Sequence, residues 1–335
     1  MPSVEVNGRR RHATGTDPDA YRYPFSPYPT GWYLLVESND LAAGDVLPLR
    51  YFGRELVLFR TEGGQPVLLD AYCPHLGAHL GYGGSVEGEC IRCPFHGWRF
   101  DPTGQCDHIP YNTTARTPNA ALTSWPVHEA SGLILVHYNQ SGRPPEWLMP
   151  DQPYWGQPGW VGYTTRRWAV RVHVQDVTEN IPDTTHFVSV HGLRSFPQAR
   201  VETTDHVFHQ VMGDGSYALT QVAYGLGLAW LEVEAPARYR LLVAATPIDD
   251  QHVDLRLLFL VDEGPGATEL SAKGLSAVEL ISGQTARDVV IWEHKTFRDR
   301  PMLVPGDGPI GVFRKWAKQF YEPVAELELD PEPAS

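Results

Sequence analysis

Cys73 and His75, followed by Cys93 and His96, are the residues of this chain best suited to do chemistry. They form a Cys-x-His hook, a loop of seventeen residues and a Cys-x-x-His hook within CPHLGAHLGYGGSVEGECIRCPFHGW. Two thiolates and two imidazoles can hold a [2Fe–2S] cluster, with the cysteine pair on one iron and the histidine pair on the other. Each hook supplies one Cys and one His, so such a cluster is clamped between two loops. Gly77, Gly83, Gly84 and Gly97 let the backbone turn closely around it. The competing reading is a Cys₄ zinc site, since Cys90-x-x-Cys93 has knuckle spacing and Cys73 and Cys106 complete four thiols. It lacks a second Cys-x-x-Cys and leaves His75 and His96 without a role. On the cluster reading, Cys90 and Cys106 are free thiols in a reducing compartment. His79, six residues beyond Cys73, is then a surface or supporting residue rather than a ligand.

A histidine-ligated cluster of this type is a Rieske centre. Respiratory-type centres add a Cys to each hook and place a Ser and a Tyr as hydrogen-bond donors to the sulfurs. The matching places here hold Ala78, Phe95, Trp98 and Phe100. With those donors missing, the expected potential lies near the low end of the Rieske range, suited to feeding an oxygen-activating iron.

A second metal site is legible in DVTENIPDTTHFVSVHGL, within a stretch near 176–190 that reads as helical. Asp183 and His186 are three apart and share a face of an ideal helix. His191 lies about 140° further round, so it converges with His186 only if the helix ends or distorts, and Gly192 is the C-terminal signal for that. Two histidines and a carboxylate on one side of a metal, with the other side open, form the facial triad of mononuclear Fe(II) oxygenases. Spacing leaves the carboxylate open. Asp183 is near but can instead hydrogen-bond a ligand imidazole. Asp288 sits among Val289, Val290, Ile291 and Trp292 on a second helical stretch near 273–297, where Glu279 and Glu293 are alternatives.

These residues need a scaffold. From Trp32 to Tyr138 short apolar runs (WYLLV, ELVLF, PVLLD, LILVHY) alternate with turn signals, which predicts an all-β unit with the hooks at hairpin tips. A Pro- and Trp-rich connection near 143–159 separates it from a second half of strand-like runs and the two helical stretches. That half reads as α+β, an antiparallel sheet with packed helices. The expected organisation is a flexible arm over 1–25, a cluster domain over 26–145, a catalytic domain over 146–325 and an acidic tail over 326–335. The run from Val222 to Trp230 is a candidate cavity lining.

Composition excludes several partners. The 335 residues carry a net charge of −13, which disfavours nucleic acid and anionic membrane. No apolar run approaches a membrane span, no apolar region follows the N-terminal arginines as in a secretory signal, and the cytoplasm is the expected compartment. Gly225-x-Gly227 lacks the rest of a dinucleotide fingerprint, so any NAD(P)H must be oxidised by another protein.

The chain resembles the Rieske non-haem iron oxygenases from about Trp32 to Tyr321. CPHLGAHLG, CPFHGWRFD and Ile109-Pro110-Tyr111 resemble the Rieske segment of the Neverland-type cholesterol 7-desaturases. ENIPDTTHFVSVHG, TPIDDQHVDLR, DVVIWEHK and GDGPIGVFRKWAKQFY resemble their catalytic segment, and the last two are also similar to bacterial ketosteroid 9α-hydroxylases. The resemblance implies an all-β Rieske domain followed by a helix-grip-like α+β catalytic domain. It implies that Cys73, His75, Cys93 and His96 bind the cluster, that His186, His191 and Asp288 bind mononuclear Fe(II), and that Asp183 bridges to His96 of a neighbouring subunit in a head-to-tail trimer. Electrons come from NAD(P)H through a flavin/iron–sulfur reductase, with or without a ferredoxin, and O₂ oxidises a hydrophobic, sterol-like substrate. The expected reaction is 7,8-desaturation, with steroid hydroxylation as the alternative. Animal Neverland proteins carry an N-terminal membrane anchor, which is not found in this sequence. Two other readings are a Rieske electron carrier with a non-catalytic ligand-binding domain and a zinc-bound structural protein.

Overall fold

The structure, a computed structural model, describes residues 21–114, 119–213, 218–234 and 237–322. Most of the expected flexible arm and all of the acidic tail lie outside the described residues.

The first half is all-β, as its short apolar runs predict. Its strands are β1 (Gly31–Glu37), β2 (Val46–Tyr51), β3 (Arg54–Arg60), β4 (Pro66–Asp70), β5 (Ser85–Glu87), β6 (Cys90–Arg92), β7 (Arg99–Phe100), β8 (Cys106–His108), β9 (Ser124–Trp125), β10 (Val127–Ala130) and β11 (Leu133–Tyr138). They form three antiparallel sheets in the orders β1-β11-β10, β2-β3-β4-β9 and β5-β6-β7-β8. Phe59, Leu69, Leu80, Ile91, Phe100 and Leu122 close a core beneath the hooks, and Cys106 is buried in it.

The second half contains β12 (Trp160–Val170), α1 (Val174–Thr178), α2 (His186–Ser189), β13 (Gln198–Thr204), β14 (Val207–Gly213), β15 (Ala218–Tyr224), β16 (Leu228–Val233), β17 (Tyr239–Pro247), β18 (Val253–Asp262), α3 (Ala272–His294) and α4 (Ile310–Ala317). All seven strands make one antiparallel sheet, β12-β18-β17-β16-β15-β14-β13. Alternation along each strand splits it into two faces. Leu242, Leu258 and Leu260 pack with Trp32, Leu34 and Leu135 of the first half. Tyr239, Leu241, Leu257 and Phe259 face α3 through Val278 and Ile281. The helix starts where Ser271 accepts from the Gly274 N–H at 3.1 Å, an N-cap that satisfies a free amide.

Two expectations change. Residues 21–25 are not part of a flexible arm. Arg22 donates to the carbonyls of Arg171, Glu293 and Lys295, and the Tyr23 hydroxyl donates to Asp176 at 3.0 Å. Nor is 176–190 one helix. It is α1 and α2 separated by irregular backbone, so Asp183 precedes α2 instead of sharing a helix face with His186. Pro182, directly before Asp183, cannot donate to a helical ladder.

The halves are locked by a buried polar joint. The Tyr51 hydroxyl, at the end of β2, donates to Asp254 on β18 at 2.7 Å. Arg256 and Arg167 close on the same carboxylate at 2.6–3.0 Å. Phe52 and Gly53 donate backbone N–H groups to Pro247 and Ile248. Burial pushes the Asp254 carboxyl up, but Arg256, Arg167 and Tyr51 outweigh it and hold its pKa below the ordinary value. Its contribution to stability is therefore complete above about pH 4 and is lost as pH falls through the depressed folded value. Asp254→Ala leaves Arg256 buried without its charge partner and is expected to lower the unfolding free energy by about 3–5 kcal/mol at neutral pH, read from the denaturant midpoint. An unchanged midpoint contradicts the role of this joint.

Candidate metal centres

The two hooks are folded alike. In the first, Cys73 N–H donates to Ala78 O at 2.8 Å and Gly77 N–H to Cys73 O at 2.9 Å. In the second, Cys93 N–H donates to Trp98 O at 2.7 Å and Gly97 N–H to Cys93 O at 3.1 Å. Gly77 and Gly97 both have positive φ, +77° and +73°, which is why each turn closes on glycine. The second hook tips the β6–β7 hairpin, whereas the first is flanked by the isolated Tyr72–His79 bridge instead of paired strands. Both cysteines are buried, and the rings of His75 and His96 lie 4.6 Å apart.

This donor set fits a cluster. His96 Nδ1 is buried and accepts or donates no hydrogen bond, although nearly all buried polar atoms find a partner. Burial, followed by the neighbouring Cys93 thiol, pushes the Cys73 thiol up to about 11, so a thiolate there needs a cation. Cys90 and Cys106 stand apart. Cys90 faces Asp107 at 3.6 Å and Cys106 the His108 carbonyl. Of the two places expected for His79, surface or supporting, it takes the interior one. Its side chain is 10% exposed, and its Nδ1 accepts from Gly81 N–H. Sequence reasoning named Trp98 only for its place in the hook and not for its contacts: its ring stacks on His75 at 4.6 Å and its Nε1 donates to Tyr111.

The second group is His186, His191 and Asp288, whose ligand atoms all lie within 4.8 Å of one another. Helix α2 stops at Ser189, and Gly192 (φ +75°) closes it with Gly192 N–H to Val188 O and Leu193 N–H to Phe187 O. The Gly192 N–H to Val188 O bond is an αL stop, and the turn swings His191 back towards His186. Asp288 comes from α3, is 6% exposed, and its Oδ2 stands 3.3 Å from His191 Nε2. The His186 Nδ1 bonds to the Asp183 main-chain carbonyl, so Nδ1 carries the proton and Nε2 is the unprotonated nitrogen, the one able to bind a metal in place of its contact with Asn180 Nδ2. His191 Nδ1 is buried without a partner. Two imidazoles and a carboxylate brought together this closely fit a divalent iron. Glu279 is excluded from the group by its ion pair with Arg166, as is Glu293 by its position outside the cavity wall.

Asp183 lies just before α2 with its side chain 41% exposed. Its Oδ1 accepts from the Thr185 hydroxyl at 3.1 Å and from His186 N–H at 3.3 Å, while the His186 ring nitrogen is 3.8 Å away. Burial raises its pKa, but the contacts with His186 and Thr185 outweigh that and lower it overall. Asn180 Nδ2 lies 3.2 Å from His186 Nε2, a neighbour that spacing did not reveal.

A cavity of about 910 Å³ of non-atom space, mouth included, opens beside this group. Its walls are the inner face of the sheet, α3 and the 177–191 segment. Most lining residues are apolar, among them Leu219, Leu231, Leu241, Leu257 and Trp292. Of the run proposed as lining, Gly227 and Ala229 reach the cavity, while Trp230 alternates to the opposite face.

A two-hook Cys/His pocket in one half and a two-histidine, one-carboxylate group beside an apolar cavity in the other define an iron oxygenase with two metal centres. Comparison with known proteins agrees. Residues 31–126 match the Rieske [2Fe-2S] domain, and residues 136–321 match the 3-Ketosteroid 9alpha-hydroxylase C-terminal domain. Cholesterol 7-desaturase nvd 1 of Ciona intestinalis is 31% identical over 93% of this chain and 72% of its own length. The 3-ketosteroid-9-alpha-monooxygenase oxygenase component of Mycolicibacterium smegmatis is 29% identical over 98% of this chain and 90% of its own. Dicamba monooxygenase bound to dicamba shares the fold, with a TM-score of 0.69 at 18% identity over 88% of this chain and 98% of that one. The chain belongs to the Rieske oxygenases, with a catalytic domain of the 3-ketosteroid 9alpha-hydroxylase family. Its cofactors are a Rieske [2Fe–2S] cluster and a mononuclear iron.

The four thiols separate cleanly in a test. Cys73→Ser and Cys93→Ser are expected to abolish the visible absorption and the reduced-cluster electron paramagnetic resonance signal, whereas Cys90→Ser and Cys106→Ser retain both. Loss on removing Cys90 or Cys106, with retention on removing His75, contradicts the assignment.

Proposed function

We propose that Cys73, His75, Cys93 and His96 hold the cluster, that His186, His191 and Asp288 hold the mononuclear iron, and that the chain oxidises a steroid. The observation that carries the proposal is the apolar cavity opening directly on the His186–His191–Asp288 group. Burial of a rigid polycycle there supplies binding at about 25 cal/mol per Å² of apolar surface, before ordering costs. When bound, the two iron groups supply single-electron transfer and activation of O₂. The chain's own residues bind the substrate, shield it from water and orient one carbon towards the open side of the triad. The likeness to cholesterol 7-desaturases makes a 7,8 double bond the first expected product. The match of 136–321 to the ketosteroid hydroxylase domain favours a second reading, hydroxylation of a ring carbon.

Electrons come from a separate NAD(P)H-dependent reductase, in keeping with relatives named oxygenase components, and a ferredoxin is a candidate intermediary. No helix among the described residues is long and apolar enough to cross a membrane, and the proposed compartment is the cytoplasm, where Cys90 and Cys106 stay reduced. The proposed domains are 26–145 and 146–325. The proposed assembly is a head-to-tail trimer, in which Asp183 links His186 to the His96 hook of the next copy. Two features support it. The Asp183 side chain is 41% exposed, and Leu76 and Phe95 at the hook tips are 65% and 61% exposed.

Asp183→Asn keeps the shape but removes the charge. It is expected to retain both metal centres and the trimer while turnover falls by about 10–100-fold. Near-wild-type turnover rejects the bridge. With a generic reductase, a panel of sterols, ketosteroids and aromatic acids read by product mass is expected to show oxidation of steroids only. Oxidation of aromatic acids with every steroid untouched rejects the substrate class.

A further inference from the structure

One cation outside the triad joins two of the backbones that carry it. Arg287 stands one residue before Asp288 on α3, and its Nη1 donates to the carbonyl of Val190, one residue before His191, at 3.2 Å. The same two elements meet again where His191 Nε2 stands 3.3 Å from Asp288 Oδ2. Among the described residues, every other hydrogen bond made by 187–193 stays within 185–193. These are Val188 N–H to Thr185 O, Val190 N–H to His186 O, Gly192 N–H to Val188 O and Leu193 N–H to Phe187 O. Helix α2 is a single turn, so its last carbonyls have no partner in the helix itself. Helix α3 is the fixed member of the pair, capped by Ser271 at its start and held by Arg22 at its end. Arg287 is exposed, and among the described residues it pairs with no carboxylate. Its guanidinium is committed to that one carbonyl.

A hydrogen bond from a charged donor is stronger than a neutral one, and this one fixes the peptide that leads into His191. We propose that Arg287 is a positioning residue for the mononuclear iron: it holds the His191 turn on α3, so that the ligand atoms stay together before the metal binds. The proposal rests on the assignment of His186, His191 and Asp288 as ligands. Charge alone argues the other way. A guanidinium one residue from two of the ligands repels a divalent metal, so an arginine acting through its charge would weaken binding. Geometry and charge therefore predict opposite signs when the cation is removed.

The test is equilibrium dialysis of the purified full-length protein, freed of its mononuclear iron, against cobalt(II). Bound cobalt is counted per two acid-labile sulfides, so that loss of the cluster does not distort the result. Arg287→Met keeps the apolar stem but removes donor and charge, and is expected to bind cobalt about 10–100-fold more weakly than the wild type. Arg287→Lys keeps a charged donor and is expected to recover most of that loss. Both variants are expected to unfold at the wild-type denaturant midpoint, because the side chain is exposed. Wild-type or tighter cobalt binding by Arg287→Met overturns the clamp, and so does an equal loss in the two variants. Asp288→Ala in the same dialysis separates the clamp from the ligand assignment. Cobalt bound as tightly by Asp288→Ala as by the wild type overturns the ligand reading and the clamp with it, whereas loss in Asp288→Ala alone overturns only the role of Arg287.

Discussion

The backbone between Thr178 and His191 must leave the helix to bring its two histidines to Asp288, and every peptide group it frees must be satisfied elsewhere. Among these groups the surrounding fold satisfies the Ile181 carbonyl, and it anchors the rest of the segment through side chains. The Thr178 hydroxyl donates to the Leu226 carbonyl at 2.7 Å, and Gln210 donates to Ile181 O. Glu179 takes a two-pronged contact from Arg314 on α4, at 2.7 Å for each bond. Gly308 lies so close to Pro182 O that any Cβ there would collide with it. The sheet, the last helix and the preceding turn thus hold the irregular segment from three sides. Rigid support of this kind keeps unpaired ligand atoms together before a metal arrives.

The cluster pocket is solved by different means. Two short hooks repeat one hydrogen-bond pattern around a glycine of positive φ and rest on a compact apolar core. Neither hook belongs to a long strand, so their mutual position depends on that core, while the joint holds the whole unit against the second half. The joint is polar and buried. Tyr51 reaches across to Asp254, whose charge is matched by Arg256 and Arg167. The N-terminal segment crosses in the other direction, with Tyr23 on Asp176 and Phe25 against Phe297 and Tyr321.

Much of this was legible in the sequence because the signals are local. Cys-x-His and Cys-x-x-His define hooks by themselves, and His191-Gly192 announced a helix stop that the structure contains. Short apolar runs identified the long core strands of the first half, β1, β3, β4 and β11, and α3 spans almost the stretch predicted for it. What was not legible depends on long-range packing. Helical spacing placed Asp183 and His186 on one face, but Pro182 and the contacts from Gln210 and Gly308 pull that stretch out of the helix. Spacing left Asp288, Glu279 and Glu293 open, since only burial and the Arg166 ion pair distinguish them. Tyr23 looked like part of a loose arm because its partners, Asp176 and His173, lie far along the chain. The strand alternation that turns Trp230 outward while Ala229 turns inward has no one-residue signature in an apolar run.

The central claim is that one chain carries two distinct iron sites, with Asp288 serving only the second. Iron and acid-labile sulfide determined on the same samples of wild type and Asp288→Ala test it most directly. The account predicts about three irons and two sulfides per chain in the wild type, and about two of each in Asp288→Ala with the cluster spectrum unchanged. Equal iron and sulfide in both proteins, or zinc in place of iron, would contradict it.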